Sequence, residues 1–177
     1  MDEQNLLKPK ILCVDDEDNV LEILKIELEK DFNILTANSA VQALEILANN
    51  TDTAIVISDQ KMPGKEGTDF LSEIEQKYPE AVRIILTGYP EYEISYKAIK
   101  DGKVYDFIVK KAAYLDEVKK CMVKAMEWYN VQREMRRLKR CVRQLEGFDL
   151  IQLLPGGSPV DYEINGALII DCPKEDP

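Results

Sequence analysis

No histidine occurs anywhere in the sequence. The commonest general base at neutral pH is therefore missing, and this chain can carry no phosphohistidine and no imidazole-ligated metal. Cysteine is scarce as well. Cys13, Cys121, Cys141 and Cys172 are widely spaced and form no C-x-x-C pair, which suits neither a zinc site nor a compact disulfide framework. No segment approaches the ~20 consecutive apolar residues that cross a bilayer. The opening Met1-Asp2-Glu3-Gln4 is acidic and leads into no apolar stretch, unlike a secretory signal. These absences predict a reduced, cytoplasmic chain with no membrane contact.

What is present describes a globular protein. A composition 45% hydrophobic and 32% charged supports a core of normal size, and 177 residues hold one ordinary domain plus an appendage. The formal net charge is −10, which argues against nucleic acid as a partner. Only residues 113–146, with nine bases against five acids, run the other way.

Short apolar runs alternate with helical patterns along the first two thirds of the chain. Strands are expected at 11–14, 32–37, 53–58, 82–87 and 104–109. Helices are expected after Asp18 or Asn19, after Ser39 as N-cap, from Gly67-Thr68 to the stop at Tyr78-Pro79, over 91–100, and from about Ala112 to Leu145. Five strands alternating with helices predict βαβ crossovers and a doubly wound parallel sheet; if its order is 2-1-3-4-5, strands 1, 3, 4 and 5 converge on one crevice. The strands read as nearly continuous apolar runs, as a sheet covered on both faces requires.

Four of these strands end in a reactive polar group. Asp15-Asp16 follows the first, Asp59 the third, Thr87 the fourth and Lys110 the fifth. Ligands of such sheets sit beyond the carboxyl ends of the strands, where the strand order reverses. Gathered acids repel unless they protonate or share a cation, and hard oxygen donors with open positions suit Mg²⁺. Lys110 adds a point charge for an anion and Thr87 a hydroxyl. The set fits phosphoryl transfer, with aspartate as nucleophile.

The stretches ILCVDDE (11–17), VISDQKMPG (56–64) followed by Gly67, RIILTGY (83–89) and YDFIVKK (105–111) together resemble the receiver domain of two-component response regulators. The resemblance covers about 100 residues and implies a flavodoxin-like fold. It implies Asp59 as phosphoacceptor for a histidine kinase, and Mg²⁺ held by Asp15, Asp16, Asp59 and the backbone carbonyl of Lys61. Thr87 would bond the phosphoryl group, Lys110 would neutralise it, and Phe107 would be the aromatic switch. Lys61 and Tyr89 fall where this family tunes dephosphorylation. One departure stands out: Lys110-Lys111 replaces the usual Lys-Pro. A non-proline cis bond costs about 2.5–4 kcal/mol, so the loop is either trans and rearranged or cis under strain.

The domain reading is a receiver over 8–112, an extended helix over 113–146, and a short C-terminal extension over 147–177 without a recognisable output domain. In the long helix Trp128, Val131, Met135, Leu138, Val142 and Leu145 recur at spacings of three and four. That pattern fits either a short coiled coil joining two copies through residues 128–145 or a stripe packed on the helix's own domain. A phosphorylated signalling module, passing its state to an output protein or domain, is the leading functional expectation. A receiver-like adaptor that binds partners without phosphorylation is the alternative. An aspartyl phosphatase would want a second acid where Lys61 stands, so the chain is not expected to be an enzyme in the ordinary sense.

Overall fold

The computed structural model describes residues 8–88 and 104–146, without the side chains of 142–146. The helix expected over 91–100, Tyr89, Cys172 and the extension over 147–177 lie outside the described residues.

The elements run β1 (Lys10–Val14), α1 (Asp18–Leu28), β2 (Asn33–Ala37), α2 (Ala40–Asn49), β3 (Ile55–Ser58), α3 (Gly67–Lys77), β4 (Val82–Thr87), β5 (Asp106–Val109) and α4 (Tyr114–Glu146). The strands form one five-stranded sheet of order β2-β1-β3-β4-β5, with every neighbouring pair parallel. This is the expected doubly wound sheet. Because β1 is an inner strand, flanked by β2 and β3, its last residue Val14 pairs with Ala37 on one side and Ser58 on the other. The chain leaving β1 and the chain leaving β3 therefore emerge side by side.

Alternate side chains of each strand serve two cores. Ile11, Cys13, Ile55, Ile57, Ile84, Leu86 and Ile108 face α1 and α4, meeting Leu21, Leu24, Val118, Met122 and Ala125. Leu12, Val14, Val56 and Ile85 face α2 and α3, meeting Ala43, Leu47, Phe70, Leu71 and Ile74. Each fully buried aliphatic side chain contributes about 1.5–3 kcal/mol relative to exposure, so this alternation holds the sheet between its helices.

Local chemistry sets the helix ends. Ser39 accepts a hydrogen bond from the Gln42 N–H and caps α2, and the Gln42 side chain reaches back to the Asn38 N–H at 2.7 Å. The cap expected at Asp18 or Asn19 is instead Glu17, which makes no side-chain cap. The Glu17 carbonyl already accepts the Val20 N–H at 2.9 Å and the Leu21 N–H at 3.3 Å, and Asp15 Oδ1 accepts the Glu17 N–H at 3.0 Å at the turn into α1. Asp18 falls in the first turn, where negative charge suits the helix dipole.

Cys13 and Cys121 are free thiols. Cys141 is disulfide-bonded, which corrects the expectation of a wholly reduced chain. Among the described residues no helix is long and apolar enough to cross a membrane.

The face that α4 turns to the sheet carries Val118, Cys121, Met122, Ala125 and Tyr129. Trp128, Val131, Met135 and Leu138 are 50%, 56%, 49% and 54% exposed. The stripe that the sequence left open between partner and own domain is thus not the face packed on the core. Trp128 leans on Tyr105, with ring centroids 6.2 Å apart.

Candidate functional site

The site lies where β1, β3, β4 and β5 end. Asp15 continues the β1 pairing, its N–H bonded to the Ala37 carbonyl at 3.1 Å, and Asp59 continues β3, its N–H bonded to the Val14 carbonyl at 2.8 Å. Both carboxylates sit in the buried layer, with Asp15 2% and Asp59 6% exposed. Isolated charges are not tolerated there.

Lys110 meets both of them. Its Nζ is 2.6 Å from Asp15 Oδ2 and 2.8 Å from Asp59 Oδ1. The lysine is aimed by its own backbone, whose N–H bonds to the Thr87 carbonyl at 2.7 Å. Thr87 is fully buried beside it. The other Asp59 oxygen, Oδ2, accepts the Lys61 N–H at 2.5 Å. Both oxygens of the central carboxylate are therefore held.

Burial lifts the Asp15 carboxyl above its ordinary value. The Lys110 hydrogen bond, the Glu17 N–H and the Lys110 charge pull it down without overcoming that, and the Asp59 charge adds to the rise. Burial also works to lower the Lys110 value, but its hydrogen bonds to Asp15 and Asp59 and their charges outweigh it, so the ammonium stays charged. For the ion pair these directions oppose each other. The strain falls on Asp15, the more deeply buried partner.

The sequence expectations meet the geometry as follows. Asp15, Asp59 and Lys110 come together. Thr87 is beside Lys110, and Phe107 is partly buried against the α2–α3 core. Asp16 is exposed, and among the described residues no three acidic, cysteine or histidine side chains gather into a metal-holding group. The oxygens at hand, two buried carboxylates with Asp16 next in sequence, fit a hard divalent cation in kind. No peptide bond among the described residues is cis. The Lys110-Lys111 bond is thus trans, and Ala113 beyond it lies in the left-handed region at φ 65°.

Two contributions were not foreseen. Gly67 packs so tightly that an added Cβ would lie 2.1 Å from the Asp59 carbonyl oxygen. Gln60, only 5% exposed, accepts the Thr68 N–H at 3.1 Å and donates to Glu66 Oε2 and Thr68 Oγ1, each at 3.3 Å. Nothing in the spacing of the sequence marks that glutamine.

Residues 11–121 match the family described as response regulator receiver domain. The chain belongs to that family. Among curated proteins, this receiver is 32% identical over 128 residues to the hydrogenase transcriptional regulatory protein HoxA of Cupriavidus necator, covering 72% of this chain and 26% of that one. It is 32% identical over 149 residues to the C4-dicarboxylate transport transcriptional regulatory protein DctD of Rhizobium meliloti, covering 83% and 32%. The receiver thus spans about a quarter to a third of the length of these relatives. Among solved structures, it resembles the signal receiver domain of an HD domain-containing protein from Pseudomonas fluorescens, with 32% identity, TM-score 0.65, and coverage of 72% and 93%. It also resembles the response regulator protein TrrA of Thermotoga maritima in complex with Mg²⁺ and BeF, with 34% identity, TM-score 0.59, and coverage of 66% and 98%.

Proposed function

We propose that this receiver accepts a phosphoryl group on Asp59 from the phosphohistidine of a histidine kinase, in a Mg²⁺-dependent step. The observation that carries the reading is the buried Asp59 carboxylate, fixed on one oxygen by Lys110 and on the other by the Lys61 N–H. An Asp59 oxygen attacks phosphorus, the O–P bond forms, and the P–N bond to the kinase histidine breaks as that nitrogen departs. Lys110 faces the new negative charge, and the Thr87 hydroxyl donates to a phosphoryl oxygen. Asp15, Asp16, Asp59 and the Lys61 carbonyl would hold the Mg²⁺, which supplies charge neutralisation when bound. The Mg²⁺ in the TrrA complex supports this assignment by likeness.

The signal then leaves through Phe107 on β5 and through α4. Drawing Thr87 toward the phosphoryl group frees space for the Phe107 ring to turn inward, which biases a two-state equilibrium. The exposed stripe of Trp128, Val131, Met135 and Leu138 supports a homodimer through residues 128–145, or an output protein or domain docking there. A chain of this kind works in the cytoplasm.

The test is the intact mass after incubation with Mg²⁺ and a small phosphodonor, for wild type and Asp59→Asn. One added phosphoryl group, absent from the variant, supports the reading. No adduct on either protein overturns it in favour of a partner-binding adaptor.

A further inference from the structure

We infer that Gln60 is a positioning residue for Asp59, a clamp that joins the phosphoacceptor loop to the first turn of α3. The inference rests on the reading of Asp59 as phosphoacceptor and adds a residue to it. Gln60 follows the acid directly, yet its side chain is buried rather than turned to solvent. Its amide oxygen accepts the Thr68 N–H, a donor that a helix of this kind leaves unsatisfied in its first turn. Its amide nitrogen donates to Glu66 and to the Thr68 hydroxyl. Its backbone carbonyl accepts the Gly67 N–H at 2.9 Å. Four hydrogen bonds link this one residue to three consecutive residues, 66 to 68, and fix Gln60 and the peptide that follows it.

That peptide carries the Lys61 N–H, the donor on Asp59 Oδ2. The chain of contacts therefore runs from the α3 N-terminus through Gln60 to the Lys61 amide and on to the reacting carboxylate. An apolar side chain at position 60 would fill the space and leave the Thr68 N–H without this partner. The loop would then be free to drift, and a displacement of about 1 Å at a reacting group is enough to slow a reaction severalfold or more. Gln60 touches neither the phosphoryl group nor its donor. It acts through Lys61.

The experiment compares full-length wild type, Gln60→Met and Ser39→Ala. The last removes an equivalent cap from α2, away from the site. Two readouts are taken: hydrogen exchange of the Lys61 amide without phosphodonor, and the phosphorylation rate with acetyl phosphate at saturating Mg²⁺. Gln60→Met is expected to speed Lys61 exchange and slow phosphorylation by about tenfold each, while Ser39→Ala changes neither beyond about twofold. Gln60→Met behaving as Ser39→Ala overturns the clamp. Faster Lys61 exchange with an unchanged phosphorylation rate also overturns it, reducing Gln60 to a helix cap. A wild type that takes no phosphoryl group overturns the phosphoacceptor reading itself, and the positioning role falls with it. The exchange readout shows which of the two has failed.

Discussion

Lys110 Nζ lies 2.6 Å from Asp15 Oδ2, although 95 residues separate the two along the chain. The contact exists only once β1 and β5 have taken their places in the same sheet. It joins the end of an inner strand to the end of an edge strand, and the same ammonium also meets Asp59 at the end of β3, between them.

The first prediction concerns the acid of that pair. Asp15 has a raised value in the folded state, so over the window above the unfolded aspartate value of 3.8 the native state binds the extra proton. Stability is lost as pH rises through that window, and the whole penalty is present at neutral pH. Asp15→Asn is expected to be more stable than wild type in neutral, metal-free buffer, by about 1 kcal/mol. The gap closes on acidification below 3.8. Urea titrations of both proteins at neutral and acid pH measure it. Added Mg²⁺ should stabilise wild type more than the variant.

The lysine gives the opposite sign. Lys110 is raised from 10.5, so its contribution is complete at neutral pH and disappears as pH climbs through that raised value. Lys110→Met removes the charge outright and leaves Asp15 and Asp59 facing each other in a buried layer. The expected loss is about 3 kcal/mol without metal, read from the denaturant midpoint at neutral pH.

Gly67→Ala is expected to be severe for a residue at the start of a surface helix. Its Cβ would lie 2.1 Å from the Asp59 carbonyl oxygen and 3.0 Å from Gln60 Cα, and both obstacles are backbone. Relieving the clash displaces the end of β3 at Asp59, at a cost of about 2–3 kcal/mol. Thermal denaturation gives the stability change, and loss of phosphorylation in the remaining folded protein gives the functional one.

Ala113→Gly should do the reverse. Ala113 sits at φ 65° in the loop between β5 and α4, where an L residue with a Cβ is disfavoured by about 1 kcal/mol. Glycine takes that conformation without strain. The variant is expected to gain up to about 1 kcal/mol in a urea titration, and an unchanged or lower midpoint would refute the strain.

The two free thiols should be silent in the native protein. Burial pushes Cys13 to about 12, with the Asp15 charge adding to it. Burial pushes Cys121 to about 12 as well, helped by the Asp106 charge and a 3.3 Å hydrogen bond from Sγ to Asp106. The thiolate is the reactive form. A chromogenic disulfide reagent at mildly alkaline pH is expected to label neither until the chain is unfolded.

Much of this architecture follows from local chemistry alone. Alternating apolar strands, the Ser39 cap, the stop at Tyr78 and the acids at the ends of β1 and β3 are all decided within a few residues of one another. Strand and helix periods are short, so the order of elements and the placing of Asp15, Asp59, Thr87 and Lys110 at the ends of β1, β3, β4 and β5 can be read directly along the chain. The turn into α1 is already different. Asp18 has the right chemistry for a cap, but the Glu17 carbonyl already accepts the Val20 and Leu21 N–H groups and the helix starts one residue earlier.

Other features were settled only by packing. The long helix carries two apolar stripes, one through Val118, Met122, Ala125 and Tyr129 and one through Trp128, Val131, Met135 and Leu138. Helical spacing fits both, and only docking against the sheet buries the first and leaves the second half exposed. Gln60 reads as an ordinary polar loop residue until α3 is brought up to it. Asp15 and Asp16 are adjacent and chemically identical, yet the chain leaving β1 turns one inward to Lys110 and leaves the other exposed. Periodicity assigns a residue to a face, but which face is buried, and which charge meets which, depends on contacts between segments far apart in the chain.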